Sequence, residues 1–379
     1  MKKISMVVAI LLATSAFVFG SGQQSSSAAS SSGSTLIGIA MPETHVLRWQ
    51  KDGASLQQFA QSRNYRAEVA FGDADQSVQN RQIQNFLTNG AKLLIIGGVN
   101  DGVASAVADA ARDQVAVIAY DRIIQQSADY DYYITFNNFK VGQFQGQGIE
   151  QGLNLASATA DNPKYITLFA GSPTDGNAFF FYDGAMSVLN PYIKSGVLKV
   201  VGPYPETSKD TANFQRIATE NWQAPVAKTR MENLLSNDAS GVVLDAVLAP
   251  NDTLARAIIE ACLADAKYAS KLPVVTGQDA EAASTAMIKN GQQYMTVFKD
   301  TSKLAEAAII LADQILKGQT INIPGATLAS GDLREIGNTG RKYVQAYLLE
   351  PILITRDNWK VPVDAGFYSA DEIQANNLQ

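Results

Sequence analysis

The chain holds a single cysteine, Cys262, and a single histidine, His45, among 379 residues. One cysteine cannot close an intrachain disulfide, and its place in an apolar helical pattern reads as a small buried hydrophobe. The lone histidine sits in an apparent loop before an Arg-Trp pair, an ordinary loop position rather than that of a catalytic base. Runs of lysine and arginine are also missing, and the formal charge is −6. Phosphate neutralisation supplies nucleic-acid affinity, so an acidic chain without a basic stripe excludes that class of partner. No strand end carries residues at metal-ligand spacing, and no metal or other cofactor is expected.

The N-terminus, "MKKISMVVAILLATSAFVFGSG", places Lys2 and Lys3 before an apolar stretch from Met6 to Phe19. That stretch is short for a membrane span and ends in small residues, so residues 1–20 read as a cleaved export signal. It also resembles a bacterial lipoprotein signal, except that Ser21 stands where the lipidated cysteine belongs. Residues 21–34 are Ser-rich, bury almost nothing, and read as a flexible tether or a processing remnant.

From Thr35 onward a β-branched apolar run, a turn and an amphipathic helix recur. Strands are expected at Leu36–Ala40, Ala67–Phe71, Leu93–Ile96, Val115–Tyr120 and Tyr133–Phe136, with helices between the first four. A second series follows, with strands at Ile166–Phe169, Lys199–Val201, Ala246–Leu248 and Val274–Thr276. This alternation predicts an α/β protein of two Rossmann-like lobes, each a parallel sheet covered by helices, joined by a multi-strand hinge. The expected N-terminal lobe comprises 35–136 with 281–325, and the C-terminal lobe 137–280 with 326–379.

Open parallel sheets bind ligands beyond the carboxyl ends of their strands. Those ends carry Arg48 and Trp49, Asp121 and Arg122, Asp175 and Asn177, Asn251 and Asp252, Gln278 and Asp279, and Lys299. Singly, an N-cap or a local ion pair explains each of them. Together they place planar polar groups at one end of both sheets. Carboxylates accept, Arg and Lys donate, and Asn does both; such a wall suits hydroxyls that donate and accept at once. Trp49 and Trp222 offer flat plates for the C–H faces of a small polyol. "FFF" at Phe179–Phe181 has a mixed role, since consecutive helical positions cannot all face one cleft.

Enzymatic readings fare poorly. "GSPTDG" lacks the G-x-S-x-G of a nucleophile elbow. "GQGIEQG" at 146–152 falls inside a helical pattern, not after a strand, and is no dinucleotide fingerprint. Paired carboxylates such as Asp175 and Asp279 could hydrolyse a glycoside, but carboxylates at almost every strand end fit a grip better.

From Thr35 to about Phe367 the chain resembles bacterial periplasmic sugar-binding proteins of ABC transporters, nearest to the xylose-binding and multiple-sugar-binding members. "RWQKDG", "IAYDR", the Ala170–Leu189 stretch, "TGQDAE" and "FKDT" carry the resemblance. It implies that Arg48 and Trp49 hold the pyranose and that Asp121 and Arg122 contact ring hydroxyls. Asp175 and Asn177 would touch the sugar from the second lobe, Trp222 would be the opposite plate, and Asn251, Asp252, Asp279 and Lys299 the remaining polar wall. One departure is Gly176, where the family has an asparagine. The implied function is capture of an aldose and delivery to a membrane permease, with a chemoreceptor or sensor as a further partner. A periplasmic, monomeric, non-enzymatic protein is expected.

Overall fold

The computed structural model describes residues 34–46, 48–239 and 241–376; the expected signal and most of the tether lie outside them. Along the chain the strands are β1 (Leu36–Met41), β2 (Arg66–Phe71), β3 (Leu93–Ile96), β4 (Ala116–Tyr120), β5 (Tyr132–Phe136), β6 (Lys164–Leu168) and β7 (Leu198–Val200). They continue as β8 (Ala246–Leu248), β9 (Val274–Val275), β10 (Met295–Phe298), β11 (Ala326–Leu328), β12 (Gln345–Leu349) and β13 (Ile352–Thr355).

Two sheets organise the molecule. The first has the order β11-β12-β5-β4-β3-β1-β2, parallel except for β11 against β12. Its inner strands are near-continuous apolar runs such as "LLII" because helices cover both faces and bury their side chains, whereas the edge strands β2 and β11 stay partly exposed. One face packs Ile37, Ile39 and Ile95 under the helices Arg48–Ser62 and Thr301–Leu316; the other packs Ala40, Ile83 and Val107. The second sheet, β7-β6-β8-β9, is wholly parallel and has its own core around Ile166, Leu168, Met231 and Ile258.

The expectation that 281–325 continues the first sheet, and the tail the second, is corrected by the pairing. β10 pairs antiparallel with β13. Tyr294 N–H donates to the Val275 carbonyl at 3.2 Å and Asp279 N–H to that of Val297 at 2.8 Å, so β10 runs beside β9. Only the helix Thr301–Leu316 returns to the first sheet, while the tail strand β12 pairs parallel with β5. The chain therefore passes between the halves near Asn137, at Lys299–Asp300 and at Glu350–Pro351. Periodicity separates strand from helix but says nothing about which sheet an apolar run joins.

The glycines of "VGQFQGQG" have a packing purpose. The helices Asn138–Gly152 and Gly176–Lys194 cross so closely that a Cβ on Gly142 would lie 2.0 Å from the Phe181 carbonyl oxygen. One on Gly184 would lie 2.1 Å from that of Phe139. Backbone cannot yield there as a flexible side chain would. Gly184→Ala is expected to destabilise the protein by about 3 kcal/mol, the upper end of ordinary overpacking, read as a lower midpoint in urea unfolding.

Candidate functional site

Beyond the carboxyl ends of the strands, the two halves enclose a cavity of about 350 Å³ with its mouth included. Arg48, Trp49, Asp121, Arg122, Asp175, Asn177, Trp222, Asn251, Asp279 and Lys299 line it, joined by Val46, Phe181 and Gln278. Residues from six strand ends thus meet around one space.

The first sheet supplies a charged floor. Arg48 opens its helix and donates from Nη2 to Asp52 at 2.9 Å and to Asp121 at 2.8 Å. Arg122 donates from Nη2 to Glu43 Oε1 at 2.8 Å and from Nη1 to the Gly98 carbonyl at 3.1 Å. Trp49 explains why an arginine stands beside a tryptophan. Both guanidinium carbons lie over its ring, Arg48 at 4.7 Å and Arg122 at 5.0 Å from the centroid. Its Nε1 donates to Glu43 at 3.2 Å. The indole holds two cations in place. Glu43 and Asp52, both buried, were not singled out in the sequence. The signal for Asp52 was available: it sits four residues after Arg48, the spacing at which helical side chains meet.

The second half supplies the opposite wall. Asp175 caps the helix Gly176–Lys194 through the Asn177 amide at 3.0 Å and faces Arg122 Nε at 3.2 Å across the seam. Lys299 Nζ lies 3.0 Å from Asp279 Oδ1, which is also 3.9 Å from Arg48 Nη1. Asn251 lines the cavity while its side chain accepts from Leu254 N–H at 3.0 Å, so cap and wall are one residue. The three phenylalanines diverge: Phe179 stacks near Phe214 at 4.9 Å, Phe180 packs on the first half's core, and Phe181 faces the cavity.

Both indoles depend on glycines at strand ends. A Cβ on Gly171 would fall 2.0 Å from Trp222, and one on Gly97 would fall 3.2 Å from Trp49. Asp121, Trp222 and Asp279 all have left-handed backbones, with φ of 61°, 55° and 90°. Each costs on the order of 1–3 kcal/mol for a residue with a side chain and persists because its surroundings fix it.

Two expectations shift, and Gly176 finds its place. Asp252 does not reach the cavity; it is fully buried behind it, accepting from Glu281 N–H and Gln293 Nε2, both at 2.9 Å. The polar atoms of Asn177 mostly serve the protein. Its Nδ2 donates to the Asp121 carbonyl at 2.8 Å, and its Oδ1 accepts from Tyr133 at 3.2 Å and Asn138 at 2.6 Å. Gly176 faces the first half's loop, with Ile123 3.1 Å from where its Cβ would be, so the missing asparagine bears on the seam and not on the cavity wall.

Charge is held deliberately. Burial would raise the Asp121 carboxyl, but Arg48, Lys299 and Arg122 outweigh it and keep it below its ordinary value. For Asp175 burial wins over Arg122 and the carboxyl is raised. Burial opposes the Arg48 charge, yet Asp121, Asp52 and Asp279 hold its pKa well above the usual value. Meanwhile the buried Arg48 Nε, Trp222 Nε1 and Gln278 Oε1 have no hydrogen-bond partner. Among the described residues, no three His, Cys, Asp or Glu side chains are placed to hold a metal ion. Cys262 lies buried in its helix, and burial pushes its thiol up to about 12.

Residues 37–320 match the periplasmic binding protein domain family. Over 343 residues the chain is 40% identical to the multiple sugar-binding periplasmic receptor ChvE of Rhizobium radiobacter, covering 89% of this chain and 92% of that protein. It is 34% identical over 339 residues to the D-xylose-binding periplasmic protein of Haemophilus influenzae, covering 89% and 91% respectively. A solved ABC transporter solute-binding protein from Clostridium phytofermentans, with bound β-D-glucose, matches with a TM-score of 0.79 and 35% identity. That match covers 89% of this chain and 100% of the other. These relatives are sugar-binding receptors, not enzymes, and the chain belongs to the periplasmic binding protein family.

Proposed function

We propose that the protein is an exported solute-binding protein that captures one aldose, a xylose- or glucose-type pyranose, and delivers it to an ABC importer. The observation that carries this reading is a buried cavity walled by paired ions, with Arg48 Nε, Trp222 Nε1 and Gln278 Oε1 left unsatisfied. Buried polar atoms without partners cost about 1–3 kcal/mol each. A ring of hydroxyls can accept from the two N–H groups and donate to the amide oxygen at once. Asp121, Asp279, Arg48 and Lys299 keep further lone pairs and protons for other hydroxyls, and the Trp222 indole offers a face for the ring's C–H side. Names of relatives support the class: one binds multiple sugars, another D-xylose, and a solved neighbour holds β-D-glucose.

The mechanism follows from which half carries which group. Arg48, Trp49, Asp121 and Arg122 belong to the first half; Asp175, Trp222, Asn251, Asp279 and Lys299 belong to the second or to the crossing beside it. A sugar docked on one half gains the other set of bonds only when the halves meet, so it shifts the population toward the closed form. The closed surface is what a permease receives. The relative named a receptor supports a second output, presentation of the loaded form to a membrane sensor. Residues 1–20 serve export, and the protein works as a monomer in the periplasm.

Titration calorimetry with D-xylose, D-glucose, D-galactose, L-arabinose and D-ribose is expected to show one site for at least one pyranose and no turnover of aryl glycosides. Asp279→Ala should weaken that binding about 100-fold, since it leaves Lys299 buried without its carboxylate. An absence of heat with every sugar, or product release from a glycoside, sinks the reading.

The raised Asp175 carboxyl gives a pH signature. It protonates above the ordinary carboxylate value of about 4, before Asp121, whose pKa is depressed. As pH falls toward that range the Arg122–Asp175 tie is lost before the Arg48–Asp121 pair, and sugar affinity is expected to drop while Arg48–Asp121 remains ionised. Dissociation constants measured from pH 7 downward should show this fall in the wild type and a flatter profile, from a weaker start, in Asp175→Asn.

A further inference from the structure

Asp252 is the one site residue expected from the sequence that does not touch the cavity, and its surroundings give it a different task. It opens the helix Asp252–Leu263, and its own N–H donates to the Gln278 carbonyl at 3.0 Å. Its Oδ2 accepts from Glu281 N–H at 2.9 Å. One residue therefore grips a four-residue loop at both ends. Its Oδ1 accepts from Gln293 Nε2 at 2.9 Å, which ties the grip to the segment leading into β10. The next residue, Thr253, donates from Oγ1 to the Glu281 carboxylate at 2.7 Å. Gly277 is a glycine because a Cβ there would stand 2.1 Å from Asp252 Oδ1.

What the loop carries is the rim of the cavity. Gln278 and Asp279 both line it, and the backbone between the two gripped ends is left-handed at Asp279 and again at Ala280, with φ of 90° and 47°. Two successive non-glycine residues in that region do not hold such a conformation unaided. Further ties are Asp279 N–H to the Val297 carbonyl at 2.8 Å and Ala280 N–H to Thr296 Oγ1 at 3.2 Å, both from β10, and Thr285 Oγ1 to the Ala280 carbonyl at 3.3 Å from the helix Ala282–Asn290. Asp252 is the tie from the opposite side.

We propose that Asp252 is a positioning residue that clamps the Gln278–Ala280 loop in its left-handed form, and so sets where the Asp279 carboxylate and the Gln278 amide oxygen meet the ligand. The consequence for binding rests on the sugar-capture reading; the clamp itself does not. An aspartate is required rather than its amide. Both groups facing the carboxylate are donors, Glu281 N–H and Gln293 Nε2, so an asparagine would turn its own NH2 toward one of them and lose that bond. The carboxylate is fully buried, and burial, with Glu281 adding to it, raises its pKa well above the ordinary value, a cost the site retains.

The test uses Asp252→Asn in the full exported chain, with Ile258→Val as control, a truncation in the same helix whose side chain is buried away from the loop. Hydrogen–deuterium exchange of the ligand-free proteins is expected to show the Glu281 amide opening about tenfold faster in Asp252→Asn and unchanged in the control. In calorimetry with the sugar that the wild type binds, Asp252→Asn should raise Kd about tenfold and Ile258→Val should leave it alone. On an Asp279→Ala background, Asp252→Asn should add clearly less loss than it causes alone, because only the part that acts through Gln278 is left. Unchanged exchange at Glu281, or full additivity with Asp279→Ala, overturns the proposal. If the wild type binds none of the sugars, the functional reading falls and the exchange experiment still decides the clamp.

Discussion

The seam between the two halves is held by ions that neither half could bury alone. Arg48 reaches Asp121 on its own side at 2.8 Å and Asp279 on the other at 3.9 Å, and Arg122 holds Glu43 on its own side and Asp175 across the gap. Each cation thus has carboxylate partners from its own half and from the opposite one. A guanidinium fits this task because its planar fork presents donors in several fixed directions and stays charged when desolvated. Taking such charges out of water costs several kcal/mol each, and only good geometry with multiple partners offsets it. The surrounding fold supplies that geometry. Rigid parallel strands end at one level, helices start there with capped N-termini, and the Trp49 ring keeps both guanidiniums in register.

The strand ends also explain why strain gathers where it does. Asp121, Trp222 and Asp279 bring three different chemistries to the cavity, and all three sit in the left-handed region. At Asp121 and Asp279 the chain has just left a parallel strand and must turn at once, whereas Trp222 ends the 3-10 turn Glu220–Trp222, well past β7. Glycine would relax the backbone but supply no functional group. The conformation is instead enforced from outside. The Asp121 carbonyl accepts from Tyr133, Thr135 and Asn177, and the Asp279 loop is tied on two sides.

Much of this was legible in the sequence, for physical reasons that vary by feature. Strands such as Leu93–Ile96 and the series of helices stand out because burial on both faces leaves no polar residue in the run. The site follows once strand ends are known, since an α/β sheet concentrates its open polar groups there. The same logic misplaces Asp252. Adjacent residues at a helix start point in different directions, and the sequence cannot say that Asn251 looks into the cavity while Asp252 looks behind it. Glu43 is not legible in the sequence, because what it holds, the Arg122 guanidinium and the Trp49 indole, comes beside it only in the folded chain, and Asp52 is legible only through its spacing from Arg48. The route of the chain after Glu281 was hidden for a related reason. β10 and β12 are both short apolar runs, and their sheet is set by partners more than 50 residues away in one case and 200 in the other, roughly, at which distance local pattern carries no information.

The two halves bond directly to one another beside the cavity, and this bears on how tightly a ligand can be held. Asn177 donates to the Asp121 carbonyl, Arg122 faces Asp175, and Lys51 donates to the Phe367 carbonyl at 3.1 Å with its ammonium 3.8 Å from the Tyr368 ring. In the proposed mechanism these contacts favour closure before the ligand adds its share. A capture protein needs that balance to be narrow. If the seam were weak, most of the sugar's binding free energy would go into bringing the halves together, and apparent affinity would fall by the fraction of molecules able to close. If it were strong, the empty protein would stay shut and the cavity, already small, would admit nothing. Polar and ionic contacts suit this middle ground better than apolar ones. On opening, water replaces each of them at a net difference of about 1–3 kcal/mol, whereas a comparable apolar patch would resist separation in proportion to its whole area. Composition at the seam therefore argues for reversible closure: Asn177, Arg122, Asp175 and Lys51 hold the halves together, while the large apolar clusters stay within each half except where Phe180 packs across.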